Sequence, residues 1–216
     1  MKNSLSFAAV FIALFISLSA GGQLIQAPST ANHVPSKVDL FAGYSYWVPN
    51  GTVLGSPFPN DNKGMIFSGA YYLNRTVGLE IIGDWHLENS NDSMQSISIG
   101  PVYRRRLDSG FIPFIHALAG AAHVSPPEVP AKDPACYCVM QESAAWGPQI
   151  TLGGGVDYPL PYFHHHLGAR VQADYLYDHI DFEPIGHANL NSGRFSAGVV
   201  WRLGVIAPPH SPKVKR

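Results

Sequence analysis

The sequence predicts an all-β fold, an eight-stranded antiparallel up-and-down transmembrane β-barrel with short periplasmic turns and long outer loops. Three observations predict it. The first is period-two alternation, clearest in Leu167–Tyr177. There Leu167, Ala169, Val171, Ala173, Tyr175 and Tyr177 share one face, and Gly168, Arg170, Gln172, Asp174 and Leu176 share the other. A helix would spread Arg170, Gln172 and Asp174 around its circumference. The second is the connections, which run long, short, medium, short, long, medium, long, so that long ones collect at one end of a meander. The third is that no apolar run beyond the N-terminal segment approaches the roughly 20 residues of a spanning helix. A chain of this kind that enters a membrane does so as strands.

The N-terminal segment reads as a signal peptide over residues 1–20. Lys2 precedes the apolar core Phe7–Ile16, and small residues two apart follow at Ser17, Ser19 and Gly21. The mature chain is expected to begin near Gly21, after Sec-dependent export. Residues 21–36 lack periodicity and read as a flexible leader. The barrel is expected over 37–204 and a periplasmic tail over 205–216.

The first strand, Lys37–Val48, sets Asp39, Phe41, Gly43, Ser45 and Trp47 against Val38, Leu40, Ala42, Tyr44 and Tyr46. The long connection Pro49–Lys63 leads to strand two, Gly64–Leu73, whose faces the pattern MIFSGAYYL leaves open. After the tight turn Asn74–Thr76 comes strand three, Val77–His86, with Glu80 and Asp84 opposite Leu79, Ile81 and Trp85. Leu87–Ser93 leads to strand four, Met94–Arg105. The turn Leu107–Gly110 leads to strand five, Phe111–Val124, weakened by Pro113. The longest connection, Ser125–Ser143, precedes strand six, Trp146–Tyr158, with Thr151, Gly153, Gly155 and Asp157 on its polar side. Strand seven is the Leu167–Tyr177 segment. A long polar connection, Asp178–Ser192, is expected before strand eight, where Arg194, Ser196, Gly198 and Arg202 oppose Phe195, Ala197, Val199 and Trp201.

Alternation alone does not say which face is outside. The apolar faces carry Tyr44, Tyr46, Trp85, Tyr103, Tyr158, Tyr175, Tyr177 and Trp201 towards strand ends, as interfacial girdles require. The polar faces carry both signs of charge. An eight-stranded barrel is just wide enough for its own side chains. Asp39, Glu80, Asp84, Arg104, Asp157, Arg170, Asp174, Arg194 and Arg202 are therefore expected to form a charge-paired network that plugs the lumen.

GGGVDYPLPYFHHHLGARVQADYLY and GRFSAGVVWRLG resemble the last three strands of the OmpA-like family of small outer-membrane β-barrels. DLFAGYSY, at Asp39–Tyr46, is similar to the first strand of its single-domain members. The resemblance covers about Lys37–Gly204. It implies a bacterial outer membrane of the Gram-negative type, without the periplasmic peptidoglycan-binding domain of the full-length namesake. The chain departs from the family pattern in running past Trp201 and Leu203 instead of ending at a terminal aromatic.

Function is expected to be structural or surface-interacting, through the outer loops and towards a surface ligand or a host or envelope protein, with outer-membrane lipid around a monomer. A narrow passive pore is the alternative, and a lipid-acting barrel enzyme the third reading. Charged residues are only 13% of the chain and the net charge is −1, so no basic field suggests nucleic acid. No cofactor motif and no metal site are expected. Cys136 and Cys138, in the longest loop, are candidates for an intraloop disulfide; an intermolecular bond and a metal site with Asp133 and Glu142 are the alternatives. His164, His165 and His166 read as a solvated turn, and His86, His116 and His123 as interior hydrogen-bonding groups. His187, Asn189 and Ser192 faintly echo a deacylase arrangement, and Asp178, Asp181 and Glu183 read as a solvated acidic loop. The chain is expected not to be an enzyme.

Overall fold

Eight long strands close on themselves in a computed structural model that describes residues 35–53, 56–58, 61–88, 92–125, 129–130, 139–140, 144–160, 166–182 and 186–206. The strands are β1 (Val38–Val48), β2 (Asp61–Tyr72), β3 (Val77–Glu88), β4 (Asp92–Arg104), β5 (Ile112–Val124), β6 (Ala145–Pro159), β7 (Leu167–Phe182) and β8 (Gly186–Leu203). Each pairs antiparallel with its sequence neighbours, and β1 pairs with β8 from Val38↔Leu203 to Val48↔Gly193 to complete a closed barrel. Closure leaves no sheet edge along the paired length, which is what a strand protein in lipid requires. Two-residue ladders join Thr52–Val53 to Ser56–Pro57 and Val129–Pro130 to Val139–Met140, within the two longest connections.

The turns at one end are built by local chemistry. Asn74 Oδ1 accepts from the Thr76 and Val77 backbone amides at 2.9 and 2.8 Å and from Thr76 Oγ1 at 3.0 Å, closing the β2–β3 turn. Gly110 takes φ +88°, open to glycine at no steric cost, and donates to the Leu107 carbonyl in the β4–β5 turn.

At the opposite end the strands run further than the sequence pattern suggests. The expected connection Asp178–Ser192 is mostly strand: β7 continues to Phe182, β8 begins at Gly186, and His179↔Asn189 and Asp181↔His187 are register pairs. The reason is packing. Ile180 and Phe182 on β7 and Ala188 and Leu190 on β8 point inward and are buried, so alternation persists beneath the polar residues between them. The β3–β4 hairpin likewise extends to Glu88↔Asp92.

The faces of β2 and β5 are also defined. Ile66, Ser68, Ala70 and Tyr72 point inward from β2, and Ile112, Phe114, His116, Leu118, Ala122 and Val124 from β5. Outside, the wall is apolar, with Leu79, Ile81, Ile97, Ile99, Ile115, Ile150, Leu152, Val171 and Val199 about half exposed along its middle. Exposed aromatics bracket this band. Tyr44, Trp85, Trp146, Tyr175 and Tyr177 lie towards the long-connection end; Tyr71, Tyr103, Tyr158 and Trp201 lie towards the short-turn end.

Candidate functional site: the barrel lumen

The lumen is built from every second residue of the strands, and it is here that the nine charged residues named from the sequence lie. All are at least nine-tenths buried. Near the short-turn mouth Arg104 donates from Nη1 to Asp39 Oδ2 at 2.6 Å and to Ser36 Oγ at 2.9 Å, and from Nη2 to the Ser36 carbonyl at 2.5 Å. Its guanidinium lies 3.3 Å over the Tyr72 ring, a stacked cation–π contact. This pair stands apart from the other seven.

Those seven form the two halves of one chain of ion pairs. Asp157 accepts from Arg170 Nε and Nη2 at 2.7 and 3.1 Å, a side-on fork, and from Arg202 Nη2 at 3.0 Å. Arg170 reaches Glu80 Oε1 at 3.4 Å, and Ser68 donates to the same oxygen at 2.9 Å. Asp174 Oδ2 accepts from Arg194 Nε and Nη2 at 3.0 and 2.7 Å and from Gln172 at 3.1 Å. Arg194 Nη1 donates to Asp84 Oδ2 at 2.8 Å, and Ser96 donates to Asp84 Oδ1.

The two halves of the chain are joined by His116, to which sequence reasoning assigned only interior hydrogen bonding. Its Nδ1 lies 2.8 Å from Glu80 Oε2 and its Nε2 3.0 Å from Asp174 Oδ1. With a carboxylate on each nitrogen the ring must donate twice, which only imidazolium does. The inward face of β5 is the signal that could have found it.

Space for these groups comes partly from glycine. A Cβ at Gly153 would sit 2.1 Å from Asp174 Oδ1, and one at Gly64 would sit 2.4 Å from the His86 ring. The rest of the lumen is filled by apolar side chains: Phe41, Ile66, Ile82, Leu118 and Val200 at mid-height, and Ala70, Tyr72, Val102 and Phe114 towards the short-turn mouth, where Ile206 packs against them. Towards the long-connection end Trp47, Phe58, Met94, Leu176, Ile180, Phe182 and Leu190 form an internal apolar core.

Other residues singled out from sequence fall differently. His86 is inside, with Nε2 3.3 Å from Ser45 Oγ and 3.6 Å from Asp84. His123 is instead half-buried on the outer wall, its ring 4.9 Å from that of Trp146, because it falls on the odd-numbered face of β5. His187 is exposed and Ser192 is buried in the lumen, so the two face opposite sides of β8 and do not converge. Asp178 is not part of a solvated loop: it is fully buried, facing inward from β7, while Asp181 is exposed. His166 is exposed, with Nδ1 3.2 Å from the Arg202 carbonyl. Cys136, Cys138, Asp133, Glu142, His164, His165 and Glu183 lie outside the described residues, as do the expected signal peptide and the far end of the tail. Among the described residues no group of three His, Cys, Asp or Glu side chains is placed to hold a metal ion.

No protein-family model matches the chain, and no curated protein matches its sequence. Solved structures that it is similar to are small outer-membrane proteins. Neisserial surface protein A is 18% identical, with 78% of this chain and 98% of that one covered at a TM-score of 0.48. Ail of Yersinia pestis, in complex with the heparin analogue sucrose octasulfate, is 15% identical over 77% of this chain and 99% of that one, at 0.42. The outer-membrane enzyme PagL is 13% identical over 73% and 97%, at 0.36. The closed, all-antiparallel, eight-stranded architecture is that of the small outer-membrane barrels.

Proposed function

We propose that the protein is an integral outer-membrane β-barrel of the Gram-negative type whose lumen is closed by paired charges, and that it has a structural or surface-interaction role. The observation that carries this is the inversion of the usual burial. Six carboxylates and four arginines are buried inside, whereas isoleucine, leucine, tyrosine and tryptophan cover the outside. A water-soluble protein rarely exposes a contiguous apolar patch beyond a few hundred Å². Here the apolar band runs right around the barrel and ends in aromatics at both rims, the arrangement lipid and its two interfaces demand. The ion pairs and apolar clusters that line the lumen support leaving the chemistry for partners to the long connections 49–60 and 125–144. A non-enzymatic role is supported by the separation of His187 from Ser192 and by the engagement of His116 with two carboxylates, which leaves it no free nitrogen to act as a base.

Tryptophan fluorescence tests this reading. Of the four tryptophans, Trp85, Trp146 and Trp201 are on the outer wall and Trp47 is inside. In vesicles of brominated phospholipid, single-tryptophan variants retaining Trp85, Trp146 or Trp201 are expected to be quenched, and one retaining only Trp47 to be spared. Equal emission from all four in brominated and ordinary lipid would exclude the membrane reading, as would recovery of the folded protein in the soluble periplasm.

A further inference from the structure

Among the described side chains of the lumen, one acid stands outside the ion pairs. Asp39, Glu80, Asp84, Asp157, Asp174 and Asp178 face Arg104, Arg170, Arg194, Arg202 and the His116 imidazolium. Asp178 is that acid. Both oxygens of Asp178 are buried without a hydrogen-bond partner. Arg194 directs its donors to Asp84 and Asp174 instead.

The surroundings of Asp178 are unsatisfied in the same way. Gln149 is its register partner on β6, and Gln149 Nε2 has no acceptor. Thr151 on β6 and Ser192 on β8 flank Leu176, one inward-facing position along β7 from Asp178, and neither hydroxyl has a partner. Above lies the apolar core containing Ile180, Phe182 and Leu190. A bare carboxylate in such a place is costly and draws in either a proton or a counter-ion.

We propose that this part of the lumen binds a monovalent alkali cation on Asp178, with the Thr151 and Ser192 hydroxyls as further oxygen ligands. Oxygen donors with one carboxylate suit a hard cation. One carboxylate matches a single positive charge, and calcium takes six to eight oxygens. The site is separate from the question of conduction, because it is read from stability and not from current.

The test is urea unfolding of the refolded full-length barrel in detergent, in sodium, potassium or choline chloride at equal ionic strength. Sodium or potassium is expected to raise the midpoint saturably over choline, since a ligand bound only to the folded state adds stability by mass action. Asp178→Asn is expected to abolish the difference, and the pair Thr151→Val with Ser192→Ala to weaken it. An identical wild-type midpoint in all three salts would overturn the proposal without requiring any variant to fold. So would a midpoint that follows pH but not the alkali ion, which would place a proton on Asp178. Stronger stabilisation by calcium chloride than by sodium would overturn the monovalent assignment, and undiminished salt dependence in Asp178→Asn would overturn the site.

Discussion

Arg194 holds two carboxylates, Asp84 and Asp174, through all three of its donor nitrogens, and its side chain is essentially without solvent. Removing it strips Asp84 of its arginine and leaves charge stranded where water does not reach. Arg194→Ala is therefore expected to lower unfolding stability by about 3–5 kcal/mol, read from urea titration in detergent. Arg170→Ala should cost less, because Asp157 keeps Arg202 and Glu80 keeps His116. Equal costs would mean that the connectivity of the network does not govern its energetics. Gly153→Ala tests the space for Asp174: a methyl there meets the carboxylate and the Ala173 carbonyl at 2.8 Å, so folding yield and midpoint are expected to fall although only a methyl is added. At this scale the inward charges were legible in the sequence, because Asp157, Arg170, Asp174, Arg194 and Arg202 stand at alternate positions of strands whose other face is plainly apolar. His116 was not, because Pro113 and the run of small residues Ala117, Ala119 and Ala121 blur the two faces of β5.

The β7–β8 hairpin shows where element boundaries escape the pattern. Asp178, His179, Asp181, His187, Asn189 and Asn191 read as loop chemistry, and turn-forming residues do favour loops. In the structure these polar residues are the outer face of a continuing ladder, Asp178 excepted. Tyr175 donates to Asn191 at 2.5 Å and Tyr177 to Asn189 at 3.1 Å across it, and His179 Nδ1 lies 2.6 Å from the same Asn189 oxygen. The alternation of Ile180 with Phe182, and of Ala188 with Leu190, was the surviving signal. An epitope inserted within 183–185 is thus expected to leave the barrel intact, and one after Leu190 to prevent folding, scored by heat-modifiable electrophoretic mobility. Tolerance of both would return 178–192 to a loop. Sidedness follows from the same elements, since short turns are periplasmic in this class. Antibody on intact cells is expected to reach an epitope near Pro130 and not one at Ser109, and the reverse pattern would invert the topology.

As a whole, the molecule is a wall with apolar chemistry outside and an interior lined, among the described residues, by ion pairs and apolar side chains. That interior is more apolar than period-two alternation suggested. Phe41, Ile66, Ile82, Leu118 and Val200 pack as one cluster among the ion pairs, with the Arg170 guanidinium 5.1 Å from the Phe41 ring. Such residues are invisible to a pattern that sorts polar against apolar, because the same types also cover the outer face. Their presence strengthens the case against an aqueous path, since an eight-stranded barrel has room for little besides its own side chains. Single-channel recording on the purified, reconstituted protein measures that path most directly. The wild type is expected to give no steady conductance above the bare bilayer. Large, stable channels from the wild type would contradict the closed lumen and make the barrel a pore.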